Sequence, residues 1–222
     1  MITNGTGKPV VALDLDGTLG DYHGNFTAFA RLYFGYGDDA WTKPNPGLKM
    51  WDWMGIPERD YRDAKLAYRQ GGWKRWMPAY AGAKELTHAI RASGAELWLC
   101  TTRPYLRLDN VDPDTREWLR RNGLEFDALL FDPAHEEDGT KYHELLRQAG
   151  ADRIASIVDD LPEMIEAAEG LRIPKMHQPI VRDQPYNQHL WPELRRADSC
   201  AAIWAYVSDD LYRWRANNYD QS

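Results

Sequence analysis

Four short, largely apolar runs along the chain each end abruptly at a polar residue. Pro9 to Leu13 stops at Asp14, Glu96 to Cys100 at Thr101, Ala128 to Phe131 at Asp132, and Ile154 to Val158 at Asp159. Each run has strand length. Nearly continuous apolar character, rather than strict alternation, fits strands covered on both faces, as in a parallel sheet. Helical periodicity fills the intervals, over about 80–93, 113–122, 140–149 and 162–170. Pro113 and Pro162 suit the first turn of a helix, and Gly94, Gly123, Gly150 and Gly170 stand where helices should stop. Strand alternating with helix predicts an α/β fold with a doubly wound parallel sheet.

The rhythm breaks between residues 21 and 78. That stretch carries Trp41, Trp51, Trp53, Trp73 and Trp76, a Pro44-Asn45-Pro46-Gly47 turn region, and a helical pattern over 58–70 with Tyr61, Lys65 and Tyr68 near one face. It reads as a small helical cap inserted into a core made of 1–20 and 79–222; a helical extension of the core with no role in recognition is the other reading. Apolar residues at Ile203, Trp204, Tyr206, Val207, Leu211 and Trp214 predict a final helix packed on the sheet.

Composition narrows the class. The 222 residues suit one domain, or one domain with an insertion, and 43% hydrophobic residues exclude a disordered chain. A net charge of −7 works against nucleic acid and anionic membranes as general partners. The charge is uneven, however. Residues 58–121 hold 13 Lys and Arg against 9 Asp and Glu, and residues 122–222 hold 10 against 19. A local basic surface for a phosphate ester is therefore compatible with an acidic protein. Met1 to Lys8 is polar and resembles no signal peptide, no apolar run is long enough to span a membrane, and there are only two cysteines, Cys100 and Cys200. These features lead us to expect a cytoplasmic protein with free thiols, Cys100 being a core residue.

The chemistry concentrates at strand ends. Asp14-Leu15-Asp16-Gly17-Thr18 follows the first run directly. On extended chain, residues i and i+2 point the same way, so two carboxylates leave the carboxyl end of a strand together, where open α/β sheets bind ligands. Gly17 permits the sharp turn that follows. Adjacent carboxylates repel unless a positive charge holds them, which calls for a hard divalent cation. Thr101 and Thr102 follow the second strand and offer hydroxyls, Lys141 opens a helix after the third, and Asp159-Asp160 follow the fourth. Singly, each has an ordinary structural explanation as a turn, cap or solvated side chain. Together they put four polar groups at successive strand ends.

This set resembles the four motifs of the haloacid dehalogenase superfamily of phosphohydrolases, on Asp14-x-Asp16-Gly17-Thr18, Thr101, Lys141 and Asp159-Asp160. An insertion soon after the first motif is similar to the members with a small helical cap. The stretch Asp14 to Tyr22, the triplet Cys100-Thr101-Thr102 and the late Asn187-Gln188-His189-Leu190 resemble the 5′(3′)-deoxyribonucleotidases. Thr101-Thr102-Arg103-Pro104 looks more like the 3′-phosphatase domain of phage polynucleotide kinases.

The resemblance implies a Mg²⁺-dependent phosphatase. Asp14 would be the nucleophile and Asp16 the general acid and base. Thr101, Lys141 and Thr102 would hold phosphoryl oxygens. Asp14, the Asp16 carbonyl, Asp159 and Asp160 would take the metal. The nucleotidase likeness puts Tyr22 against a nucleotide base, with Trp73, Trp76 and Arg103 as further substrate contacts. The expected substrate is a small phosphate monoester, most simply a nucleoside monophosphate. A nucleic-acid 3′ end, read by Arg103, Arg107 and Arg116, is the alternative, and a non-catalytic phosphate-binding module of the same fold is the third reading.

Overall fold

The computed structural model describes residues 7–41, 49–104, 108–132, 140–188 and 193–219. The Pro44 to Gly47 turn region, Arg107, His189 and Leu190 lie outside these residues. Six parallel strands form one sheet in the order β3-β2-β1-β4-β5-β6: β1 (Val10–Leu13), β2 (Glu96–Thr101), β3 (Ala128–Phe131), β4 (Ile154–Asp159), β5 (Ile180–Arg182) and β6 (Arg195–Ala197). All four residues of β1 are fully buried because helices cover both faces. Val11 and Leu13 pack with Leu97, Leu99 and residues of α4 (Ala83–Ala92), α5 (Val111–Arg121) and α8 (Cys200–Tyr219). Val10 and Ala12 face the opposite side, with Trp98, Cys100 and residues of α6 (Thr140–Ala149) and α7 (Pro162–Gly170). This double covering explains the unbroken apolar runs. Cys100 belongs to the core, as expected, and its thiol is pushed up to about 12, chiefly by burial.

Pro162 occupies the first turn of α7, and Gly94, Gly123 and Gly150 have positive φ angles just beyond α4, α5 and α6. Gly170 differs from the expectation. It is the last residue of α7, and the left-handed conformation falls on Arg172 at φ 47°. Strands β5 and β6 have no counterpart in the apolar pattern.

Residues 22–76 contribute α1 (Tyr22–Phe34), α2 (Met50–Met54), α3 (Glu58–Gln70) and a 3₁₀ turn, Trp73–Trp76. They carry an apolar cluster of their own: Phe26, Phe29, Ala30, Met54, Tyr61, Ala64 and Tyr68. Asp21 accepts from the Gly24 backbone N–H at 2.9 Å and so caps α1. The chain leaves the β1 loop at Gly20 and returns beside it, since Gly20 bridges Ala79 and the Tyr80 N–H donates to the Leu19 carbonyl at 2.9 Å.

Candidate active site

In this strand order the chain changes direction at β1, which lies between β2 and β4, so the carboxyl ends of β1 and β4 flank the switch point where α/β sheets bind ligands. Asp14 stands there, 5% exposed, its backbone N–H donating to the Val158 carbonyl at 3.0 Å. The loop that follows folds back on itself. Leu19 and Gly20 N–H groups donate to the Leu15 carbonyl at 3.0 and 2.9 Å, with Gly17 at φ 95°. Only glycine takes that angle freely.

Lys141 projects from the first turn of α6 and bridges Asp14 and Asp159, its ammonium 2.6 Å from an oxygen of each. All three side chains are buried. Oxygens of Asp14, Asp159 and Asp160 lie within 4.8 Å of one another, the only such trio of potential ligands among the described residues. One lysine does not balance this much negative charge. Burial, reinforced by Asp159 and Asp16 against the pull of Lys141, raises the Asp14 carboxyl to about 7. Asp160 is also pushed well up, by burial first and then by Asp159 and Asp14. Two carboxyls that ionise reluctantly, beside a hard-oxygen donor set, fit a bound divalent cation such as Mg²⁺.

The neighbouring acids are not equivalent. Asp159 is saturated: one oxygen accepts from the Asp160 and Leu161 backbone N–H groups at 2.8 and 3.0 Å, the other from Lys141 and the Tyr142 hydroxyl. A carboxylate offers about four lone-pair sites, and all four are taken. Asp160 accepts only from the Tyr186 hydroxyl and, at 3.3 Å, the Thr18 hydroxyl among the described residues. Asp160 therefore has more open lone-pair positions for a cation than Asp159, although both belong to the trio.

Asp16 is held by two cations. Arg103 grips it with both arms, at 3.1 and 2.5 Å, and Lys74 of the 3₁₀ turn pairs with the same carboxylate. Burial favours the neutral acid, but Arg103 and Lys74 outweigh it and hold the carboxyl well below the usual carboxylate range. Lys74 is 4% exposed and pushed down to about 7, by burial first, with Arg103 and Arg69 acting against the pull of Asp16. Its ammonium lies 4.5 Å from the centre of the Tyr22 ring. Arg103, 2% exposed, also donates to the Thr115 hydroxyl at 2.9 Å. Thr101 is buried at the end of β2, where its hydroxyl accepts the Arg103 N–H at 3.3 Å, and Thr102 beside it is half-buried.

The structure thus gathers Asp14, Lys141, Asp159 and Asp160 into one cluster and joins Asp16 to Arg103. The aromatic expectations divide. Tyr22 lies against Lys74, stacked on Phe26 at 5.8 Å and edge-on to Tyr68 at 5.8 Å, and its hydroxyl has no hydrogen-bond partner among the described residues. Trp73 packs edge-on against Phe29 at 5.2 Å within the helical cluster. Trp76 is 63% exposed, with the Arg121 guanidinium 3.6 Å from its ring centre. Sequence reasoning missed Lys74, Tyr142 and Tyr186. The first lies in Trp73-Lys74-Arg75-Trp76, where a lone lysine carries no positional signal, and the tyrosines lie outside the motifs.

No model of a known protein family matches the sequence, and no curated protein matches it significantly. Solved structures do. A haloacid dehalogenase superfamily hydrolase of subfamily IA from Geobacter sulfurreducens is 18% identical, with a TM-score of 0.58 over 90% of this chain and 100% of that one. A haloacid dehalogenase-like family hydrolase from Streptococcus pneumoniae is 17% identical, with a TM-score of 0.59 over 90% and 98%. The D,D-heptose 1,7-bisphosphate phosphatase of B. bronchiseptica, solved with magnesium and phosphate, is 15% identical, with a TM-score of 0.54 over 91% and 99%. At these identities the likeness is one of architecture: the chain has the Rossmann-like α/β fold of the haloacid dehalogenase superfamily hydrolases.

Proposed function

We propose that the protein is a Mg²⁺-dependent phosphomonoesterase acting through a phospho-aspartate at Asp14. The observation that carries this reading is the buried Asp14–Lys141–Asp159 bridge beside Asp160, at the sheet's switch point. Magnesium and phosphate bound to the B. bronchiseptica enzyme, which shares the fold, support it.

Asp14, Asp160 and the Asp16 carbonyl would hold the cation, with Asp159 at its edge. When bound it offsets the repulsion between the carboxylates and the phosphate dianion. Lys141, Thr101 and the Thr102 amide hold the phosphoryl oxygens, and Lys141 keeps the Asp14 side chain fixed. Asp14 attacks phosphorus and the alcohol departs, leaving an acyl phosphate. Asp16 protonates the departing oxygen and then takes a proton from the water that hydrolyses the acyl phosphate. As arranged here Asp16 is ionised, so substrate must first loosen its ion pairs. Lys74 is the partner released more readily: burial and two guanidiniums already weaken its hold on a proton, whereas Arg103 is anchored to Thr115.

The substrate we infer is a nucleoside monophosphate, its base against Tyr22 in a site roofed by residues 21–78 acting as the cap, with Trp73 behind that wall and Trp76 at its outer margin. The nucleic-acid end is the weaker alternative. Arg103 turns inward to Asp16 and does not face a polymer, and Arg116, though exposed, has part of its charge offset by Asp112 at 2.7 Å. Phosphate release from 5′- and 3′-mononucleotides, sugar phosphates and oligonucleotide 3′-phosphates, with Mg²⁺ and across salt concentrations, tests both. A mononucleotide preference with weak salt dependence supports the first reading. A polymer preference that falls steeply with salt replaces it.

A further inference from the structure

We propose that Tyr186 is a positioning residue that sets the Asp160 carboxylate for cation binding, on a brace formed by residues 183–188. The inference rests on the reading of Asp14, Asp159 and Asp160 as a Mg²⁺ site.

A carboxylate at the end of a strand can rotate, and a metal ligand that rotates binds weakly. Asp159 is locked by four donors, and Lys141 fixes Asp14. Asp160 has only one close side-chain restraint among the described residues: the Tyr186 hydroxyl donates to its Oδ2. Taking Oδ2 leaves Oδ1 with the long 3.3 Å contact from Thr18. One oxygen is thereby restrained and the other kept available, which is the arrangement a ligand's supporting hydrogen bond should produce.

The brace is built rigidly enough for the task. Asn187 donates through Nδ2 to the Asp160 carbonyl at 2.7 Å and to the Arg182 carbonyl at 3.0 Å, tying the loop to both β4 and β5. Its Oδ1 accepts from the Gln184 N–H at 3.0 Å and from Arg196 of β6 at 2.6 Å. Gln184 then reaches the first motif, donating to the Gly17 carbonyl at 2.5 Å and to the Tyr80 hydroxyl at 3.0 Å. Gly17 records how close this packing is. A Cβ there would collide with Asp160 Oδ2 and lie 2.7 Å from the Tyr186 hydroxyl oxygen. On its outer side the Tyr186 ring stacks on His23 at 5.8 Å, and His23 rests on Trp53 at 4.8 Å. The tyrosine is thus held at its ring by the helical segment and at its flanks by the loop, so its hydroxyl has little freedom except toward Asp160. The short strands β5 and β6, absent from the apolar pattern, acquire a purpose here: they anchor this loop.

Tyr186→Phe removes the donor and keeps the ring on His23. Mg²⁺ titration by calorimetry on the full chain should show the dissociation constant rising about tenfold to a hundredfold. Turnover should recover toward the wild-type kcat at saturating Mg²⁺. A Mg²⁺ affinity within twofold of wild type, even alongside a lower melting temperature, would overturn the proposal and leave the metal site standing. A wild-type protein that binds no Mg²⁺ would overturn both.

Discussion

Hydrogen-bond saturation separates the two neighbouring acids, and their variants should fail differently. Asp160→Asn keeps the backbone contacts of the Asn187 brace but removes the charge with room for a cation. It should abolish Mg²⁺-dependent turnover while leaving the metal-free fold largely intact, since burial already disfavours that charge. Asp159→Asn instead removes one of the two carboxylates paired with the fully buried Lys141. Because Asp14 remains, the loss should fall below the roughly 3–5 kcal/mol of an orphaned buried charge, but it should still lower the denaturation midpoint. Urea melts and calorimetric Mg²⁺ titrations of both variants check the contrast; equal behaviour would contradict it. Asp16→Asn should spare turnover of p-nitrophenyl phosphate far more than that of alkyl phosphates, whose leaving oxygen needs a proton. Steady-state rates on both ester types decide this, and equal losses would remove Asp16 from the acid role. Asp14, Asp16, Asp159 and Asp160 were all legible as acids at strand ends. Their division of labour was not, because it depends on Tyr142, Tyr186 and two backbone amides that no spacing rule identifies.

At the scale of elements, the 3₁₀ turn Trp73–Trp76 connects the helical segment to the chemistry by a single side chain. Gly72, at φ 72°, turns the chain so that Lys74 points inward while Arg75 and Trp76 stay exposed. Lys74→Met keeps most of the aliphatic bulk and leaves Asp16 its Arg103 partner. The stability loss should therefore fall below the roughly 3–5 kcal/mol expected for an orphaned buried charge. If Lys74 meets the substrate phosphoryl group, as its release from Asp16 requires, kcat/KM should drop by about tenfold or more, equivalent to about 1.4 kcal/mol. A chemical melt and a Michaelis curve on the same preparation separate these effects. Helices α3 to α8 were legible because 3.6-residue periodicity runs through them, and Pro162 and Gly150 marked helix ends, whereas α1 and α2 were read only as part of a helical segment. Strands β5 and β6 were illegible for a physical reason. They are three residues long and contain Arg182, Arg195 and Arg196, which read as surface positions. Burial is tolerated because Arg182 donates to the Ala197 carbonyl at 3.1 Å and stacks on Tyr80, while Arg195 pairs with Asp210 at 2.7 Å.

Over the whole molecule, the acidic cluster ties stability to pH and metal together. The Asp14 carboxyl rises from 3.8 to about 7 on folding. The unfolded chain therefore ionises it more readily than the folded one, and its contribution opposes folding as pH rises through that window. The metal-free protein should therefore lose stability between about pH 4 and 7, and added Mg²⁺ should restore it. The rise in melting temperature on adding Mg²⁺ should consequently be small at pH 5 and larger at pH 8, because protons and the cation compete for the same oxygens. Thermal melts with Mg²⁺ or EDTA at both values test this, and a Mg²⁺ effect independent of pH would contradict it. The α/β architecture was legible because burial on both faces leaves its mark on sequence, whereas the substrate rests on which aromatic faces the site, a matter of packing. The central claim, a phosphatase whose nucleophile is Asp14, is tested most directly by phosphate release from a nucleoside monophosphate by wild type and Asp14→Asn in Mg²⁺. The account predicts turnover by the wild type and less than a few per cent of it, about the background rate, in a folded Asp14→Asn protein; a variant that retains substantial turnover would contradict it.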